Sequence, residues 1–214
     1  MAIIKAGQVG DFSGKIGQVV VAEWRDLTVG RSTPKKSSKP PTQDQAGQRS
    51  IFLSVIKFLK LIKQTINIGY AKTGNLSAMN AAVKYHLTNA ITGISPNQTI
   101  DFSKVVLSVG DLNSVQNAAI VGVTGNTMNV TWELDEIDQI GSSPTDDVYM
   151  LFYSPTLGST LTVSSIGERS TLAGHVKMPR AFIGSSVHAW MFLVAVDGKS
   201  VSKSIYLGLE PVIA

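Results

Sequence analysis

At about Ile100 the hydrophobic pattern of this chain changes its period from 3.6 residues to 2. No single element carries both periods, so a helical part must precede a sheet part. In the second part Lys104–Val109, Ala119–Val123, Thr127–Leu134, Asp147–Tyr153, Thr160–Ser165, Thr171–Met178, Val187–Val196 and Ser200–Leu207 read as strands. Turn residues such as Gly125–Asn126 and Asp197–Gly198 separate them. Met128, Val130 and Trp132 alternate with Asn129 and Thr131, setting a buried face against a wet one. Eight short strands with no intervening helix form the pattern of an antiparallel β-sandwich.

The helical part opens at Thr42-x-x-Gln45, a capping box in which hydroxyl and glutamine satisfy each other's free amides. Ile51, Phe52, Val55, Ile56, Leu59, Ile62 and Ile66 follow at helical spacing. Arg49, Lys57, Lys60 and Lys63 fall together on the opposite side. One helix of about 25 residues is expected, ending near Asn67–Gly69 with Gly69 as a left-handed cap. A second helix spans about Ser77–Ile91 and buries Met79, Ala82, Val83, Leu87, Ala90 and Ile91, with Gly93 ending it. His86 sits beside that stripe and reads as a partly buried structural histidine. The pair makes an αα-hairpin, a platform for whatever precedes it.

What precedes it is punctuated by glycine. Gly7, Gly10, Gly14 and Gly17 break the opening into turns. Residues 18–26 and 27–33 then read as a β-hairpin turning near Arg25–Asp26. Val19, Val21 and Trp24 give it apolar surface that two strands cannot bury alone, so it must pack on the rest of the chain or on a neighbour. Residues 34–42 form a linker arm. Pro34, Pro40 and Pro41 hold it extended, and Lys35, Lys36 and Lys39 repel one another. The expected class is therefore α+β: an N-terminal β-hairpin (1–33), the arm (34–42), a two-helix hairpin (43–99) and an antiparallel sandwich (100–214).

Charge divides along the same line. Residues 1–100 carry thirteen Lys and Arg against four Asp and Glu, a net +9, while residues 101–214 carry six against eleven, a net −5. A basic front suits nucleic acid or the acidic half of another copy. The acidic side includes Glu133, Asp135, Glu136, Asp138, Asp146 and Asp147. Clustered carboxylates can hold calcium, but this spacing fits no EF-hand, and a solvated loop or one meeting a basic neighbour is the plainer reading.

The sequence carries none of the common catalytic patterns. The chain has no cysteine, which removes thiol catalysis, thiolate metal sites and disulfides. Gly10–Lys15 is one residue short of a phosphate-binding loop, and no G-x-G-x-x-G or G-x-S-x-G occurs. The three histidines have no paired spacing, although His175 and His188 are placed where they meet if their strands are neighbours. Neither an eighteen-residue apolar run nor a secretory leader is written in the sequence. No cofactor, metal or small-molecule substrate is expected.

Two resemblances bear on these halves. The phrases VTWEL (130–134) and AWMFLVAVDGKSVSKSIYLG (189–208) resemble fibronectin type III and immunoglobulin-like domains, in which a Trp packs between sheets and the last two strands form a hairpin. That resemblance implies an immunoglobulin-like sandwich acting as a binding or spacing module. FSGKIG (12–17), the Trp24 strand, RSTPKKSSKPPT (31–42), Gln45, Gln48, Arg49 and Phe52 resemble an uncharacterised Bacteroidota family labelled as a domain of unknown function. A looser form of the same grammar is similar to small phage-related proteins. The sequence thus points to a non-enzymatic structural protein that self-assembles as a ring, filament or particle component, joined through Val19, Val21, Trp24, Pro34, Lys35, Lys36, Lys39, Pro40 and Pro41. Two alternatives remain beside it: a nucleic-acid binder using the arm and the Arg49, Lys57, Lys60, Lys63 face, and an adhesive or carbohydrate-binding sandwich.

Overall fold

The computed structural model describes residues 2–4, 13–24, 27–35, 39–72, 74–95, 97–134 and 141–214. The chain divides into two units, Met1–Thr42 and Gln43–Ala214.

In the first unit, β-branched Val19, Val20 and Val21 lie at the centre of a four-stranded antiparallel sheet. Its strands are β1 (Ala2–Ile4), β2 (Gly14–Ile16), β3 (Val19–Trp24) and β4 (Leu27–Ser32), in the order β1-β4-β3-β2. The hairpin expected over 18–33 is β3–β4, with Trp24 facing Leu27 across residues 25–26, which lie outside the described residues. Of the glycines read as turn points, Gly7 and Gly10 lie outside the described residues. Gly17 takes φ +57° while Gln18 stays negative, giving a tight two-residue turn that folds β2 back on β3.

The second unit begins with α1 (Gln43–Leu61), α2 (Lys63–Gly69) and α3 (Ala78–Asn89). Ser77 caps α3, its side chain accepting from the Asn80 N–H at 3.3 Å. The single long helix expected from periodicity is interrupted at Ile62, whose φ of −108° and ψ of 22° leave helical space; Ile62 and Ile66 nonetheless both stay buried. Gly69 is not a left-handed cap either. It lies inside α2, and a Cβ there would stand 2.0 Å from the Leu107 carbonyl oxygen, so glycine serves close backbone approach. A small ribbon, β5 (Ile91–Thr92) with β6 (Thr99–Ile100), follows α3.

The remaining strands are β7 (Gln116–Val123), β8 (Thr127–Glu133), β9 (Asp147–Ser154), β10 (Ser159–Val163), β11 (Ala173–Lys177), β12 (Ser186–Val194) and β13 (Ile205–Pro211). They form a three-stranded sheet, β11-β8-β7, and a four-stranded sheet, β10-β9-β12-β13, both antiparallel. Met128, Val130, Trp132 and Val176 from one sheet pack against Val148, Met150, Phe152, Ala189, Met191 and Leu193 from the other, which makes the arrangement sandwich-like. Asn129 and Thr131 are exposed, as the alternation requires. The α+β class expected from the change of period holds.

Two of the eight expected strands are corrected. Lys104–Val109 forms no ladder: residues 102–104 are a short 3-10 turn and residues 105–108 are buried with a bend at Leu107. Their backbone is satisfied piecemeal instead, Leu107 N–H donating to Ser204 Oγ (2.8 Å) and Val109 N–H to the Gly69 carbonyl (2.9 Å). Ser200–Leu207 pairs as β13 only from Ile205, because Asp197–Gly198 and the residues after it complete the turn first. Asp197 accepts from the Lys199 and Ser200 N–H groups at 2.8 and 3.2 Å, and those bonds hold its carboxyl below the usual carboxylate range.

The outer face of the four-stranded sheet is covered as well. Val55, Phe58, Leu59, Ile62 and Ile66 pack with Leu151 and Trp190, so the apolar face read as a platform for the opening hairpin covers the sheet inside the second unit. Helices, four-stranded sheet and three-stranded sheet thus form three layers around two apolar cores.

Candidate functional site

A site built by this fold must come from residues left outside those cores, and they gather at three places. The first is the open edge of the N-terminal sheet. Every residue of β2 is exposed, Ile16 at 61% and neighbouring Val19 at 45%, whereas Val21 is 2% exposed and unavailable to a partner. Trp24 pairs through its backbone with Leu27. The arm continues from this sheet after the Thr33 N–H bond to the Gln18 carbonyl (2.7 Å), and Pro34, Lys35, Lys39, Pro40 and Pro41 are exposed. Lys36 lies outside the described residues. Ile16 was not among the residues singled out from sequence. The signal that finds it is Gly17-Gln18 between Ile16 and three valines, a two-residue turn marker overlooked among four glycines.

The second place is the outer side of the helices. Arg49, Lys57, Lys60 and Lys63 are all exposed along one face, as their spacing requires. Phe52, expected in the buried stripe, is instead 46% exposed. At 100° per residue it lies at the margin of the stripe, and the sheet covers only the centre. With Arg49, Leu87 and Ile91 it lines an open groove of about 540 Å³ between α1 and α3.

The third place is acidic, and the structure disperses it. Glu133 is exposed and accepts from Asn117 Nδ2 at 2.6 Å, and Asp147 accepts from Ser165 Oγ at 2.8 Å. Asp146 is buried and engaged: Arg169 reaches its Oδ2 through Nε and a terminal nitrogen, each at 3.1 Å, and the Ser143 N–H adds a bond at 3.0 Å. Arg169 also donates to the Asn113 carbonyl at 2.7 Å, and its own carbonyl accepts from Trp132 Nε1 at 2.8 Å. This pair locks the start of β9 to the loop before β11. Asp135, Glu136 and Asp138 lie outside the described residues; among the described ones no group of three His, Asp or Glu is placed to hold a metal ion.

The histidines do not combine. His175 is on β11 and His188 on β12, strands of different sheets, so the expected meeting across one sheet does not occur. His188 shares a 2.7 Å hydrogen bond with the Tyr206 hydroxyl, and burial lowers its pKa. His86 is fully buried and structural. Its Nδ1 donates to the Ala82 carbonyl at 2.7 Å and its Nε2 accepts from the Val106 N–H at 3.3 Å, which assigns the neutral tautomer; burial accordingly lowers its pKa. Trp190 and Tyr153 sit in an aromatic cluster with Phe58, Phe102 and Tyr206 between helices and sheet.

By class this is an α+β protein in two units, a small open-edged sheet and a helix-covered, sandwich-like body. The family model described as a family of unknown function, DUF6266, matches residues 11–208, and the chain belongs to that family. No curated protein matches the chain. No helix among the described residues is long and apolar enough to cross a membrane.

Proposed function

We propose that this protein is a non-enzymatic structural subunit that assembles with copies of itself, as part of a ring, filament or particle, through its N-terminal sheet and arm. The observation that carries this reading is β2: an outer strand among the described ones, exposed along its whole length including Ile16, with exposed Val19 on the neighbouring strand. Such an edge is a template for strand addition. The second unit serves as a rigid spacer. An immunoglobulin-like reading of that body is supported by its strand order, in which the first, second and fifth strands share one sheet and the third, fourth, sixth and seventh the other.

Light scattering on the full chain across a salt series, with electron micrographs of the same fractions, tests this reading. Defined oligomers or filaments free of nucleic acid are expected, and removal of residues 1–41 should leave a folded monomer. A monomer under every condition, or assembly unchanged by the truncation, overturns it.

One observation favours a second reading, nucleic-acid binding: the four cations of the α1–α2 face all point to solvent. That reading requires affinity to fall by nearly one log unit per log of salt for each phosphate neutralised, and substitution of Lys57 and Lys60 by Gln to lower the slope.

A further inference from the structure

Among the described strands the order β1-β4-β3-β2 leaves two outer edges, β1 on one side and β2 on the other. Along an antiparallel ladder, successive residues direct their N–H and C=O groups alternately to one neighbour and the other. The register decides which residues do which. The two-residue turns close on the pairs Ile16–Val19 and Trp24–Leu27, so Val19 and Val21 bond to β2 while Val20, Ala22 and Trp24 bond to β4. The Thr33 N–H bond to the Gln18 carbonyl continues the same alternation. Gly14 and Ile16 are thereby used, and Lys15 is the residue of β2 whose backbone faces the open edge. On the far side Ala2 and Ile4 bond to Gly30 and Thr28, which leaves the backbone of Ile3 facing outward.

We propose that copies of this chain add head to tail through these two edges, with Lys15 of one copy opposite Ile3 of the next. This contact rests on the assembly reading above and specifies it. Three antiparallel steps separate β1 from β2, so the two edges run in opposite directions and joining them keeps the sheet antiparallel. Position 15 shares its row with Val20 and Arg31, and position 3 shares its row, two residues along, with Ala22 and Val29. An offset of two residues preserves the face, so the same side of the sheet continues from copy to copy. A competing contact sets β2 against β2 about a two-fold axis centred on Lys15, the residue of the strand whose backbone faces outward. It sets two lysines directly opposite each other, and like charges there destabilise a ladder. Lys15 therefore disfavours the symmetric β2 pairing, whereas Lys15 opposite Ile3 meets no like charge; the heterologous contact closes into a ring or runs on as a filament. Each added copy steps about 7 Å along the strands, and sheet twist turns that step into a helical or closed array.

The chain has no native cysteine, which makes the contact easy to probe. Residues facing each other in a bonded antiparallel pair have Cα atoms about 5.5 Å apart, within disulfide reach. Within one copy, positions 3 and 15 are three strand spacings apart, roughly 14 Å, and cannot bridge. The full chain carrying both Ile3→Cys and Lys15→Cys, oxidised at assembling concentrations, should give a non-reducing ladder of two, three and more copies. Each single variant should stay at one copy. Wild-type light scattering runs beside it and decides the matter if the variant does not fold: masses growing past two copies support the contact. A disulfide dimer from either single variant, or a wild-type mass that stops at two, overturns head-to-tail addition and leaves assembly standing. A wild-type monomer at every concentration overturns both.

Discussion

Strands β12 and β2 occupy opposite extremes of the same molecule. Ala189, Met191 and Leu193 of β12 face the partner sheet while Trp190, Phe192 and Val194 face the helix-covered side, and all six are buried. In β2, by contrast, all three residues are exposed, and among the described strands only β3 pairs with it. Burial on both faces supplies the free energy that orders a strand; an exposed three-residue strand is held by its turn and by one neighbour. Strand β12 is thus held from both faces, whereas β2 leaves its residues to solvent.

The sharpest way to break that comparison is to disturb the body. Arg169→Met leaves the Asp146 carboxylate buried without its partner and should cost about 3–5 kcal/mol in urea unfolding. Trp190→Ala empties the aromatic cluster beside Phe58 and should cost a similar amount, about 3–5 kcal/mol. A body that shrugged off both changes would not be the rigid partner of this pair. Gly69→Ala comes next. Its Cβ meets backbone rather than a movable side chain, so a loss of about 1–3 kcal/mol is expected from overpacking.

Acid should act on the body as well. The folded-state pKa of His86 is lowered by burial, so below about pH 6.5 the unfolded chain binds the proton first. Stability is then full above that pH and falls as pH drops toward the folded-state value, with a slope of at most about 1.4 kcal/mol per pH unit for this one group. His188 has the same sign. His86→Gln should flatten most of the slope in denaturation midpoints measured from pH 5 to 8. The smallest effect on stability is expected at the edge: Ile16→Ser should move unfolding by less than about 0.5 kcal/mol yet reduce the assembled fraction in light scattering.

Some elements were legible because local pattern and burial agree. The alternation of Met128, Val130 and Trp132 gave β8 directly, since one face of that strand is buried and the other wet. Ser77 gave the start of α3, because a cap acts within one turn of chain. Other elements were hidden because their partners are remote. The apolar run Val187–Val196 identifies a strand, but only the helices seated on Trp190 explain why its outward residues are apolar too. Residues 104–109 look like a strand and are none, because their bonding groups are taken by His86, Gly69 and Ser204 instead of a neighbouring ladder. The candidate edge was half visible: the Val19–Trp24 hairpin was read from its valines, whereas β2 and exposed Ile16 were obscured by the glycines around them.

By itself the sequence determined the α+β class, the spacing of the basic helix residues and the absence of thiol chemistry. Each follows from composition, or from a period shorter than the element that carries it. Tertiary structure alone decided that the helices cover the sheet, that Asp146 serves Arg169, that His175 and His188 belong to different sheets, and that Lys15 stands on an open edge. Those depend on which distant segments become neighbours, and periodicity along the chain holds no information about that choice.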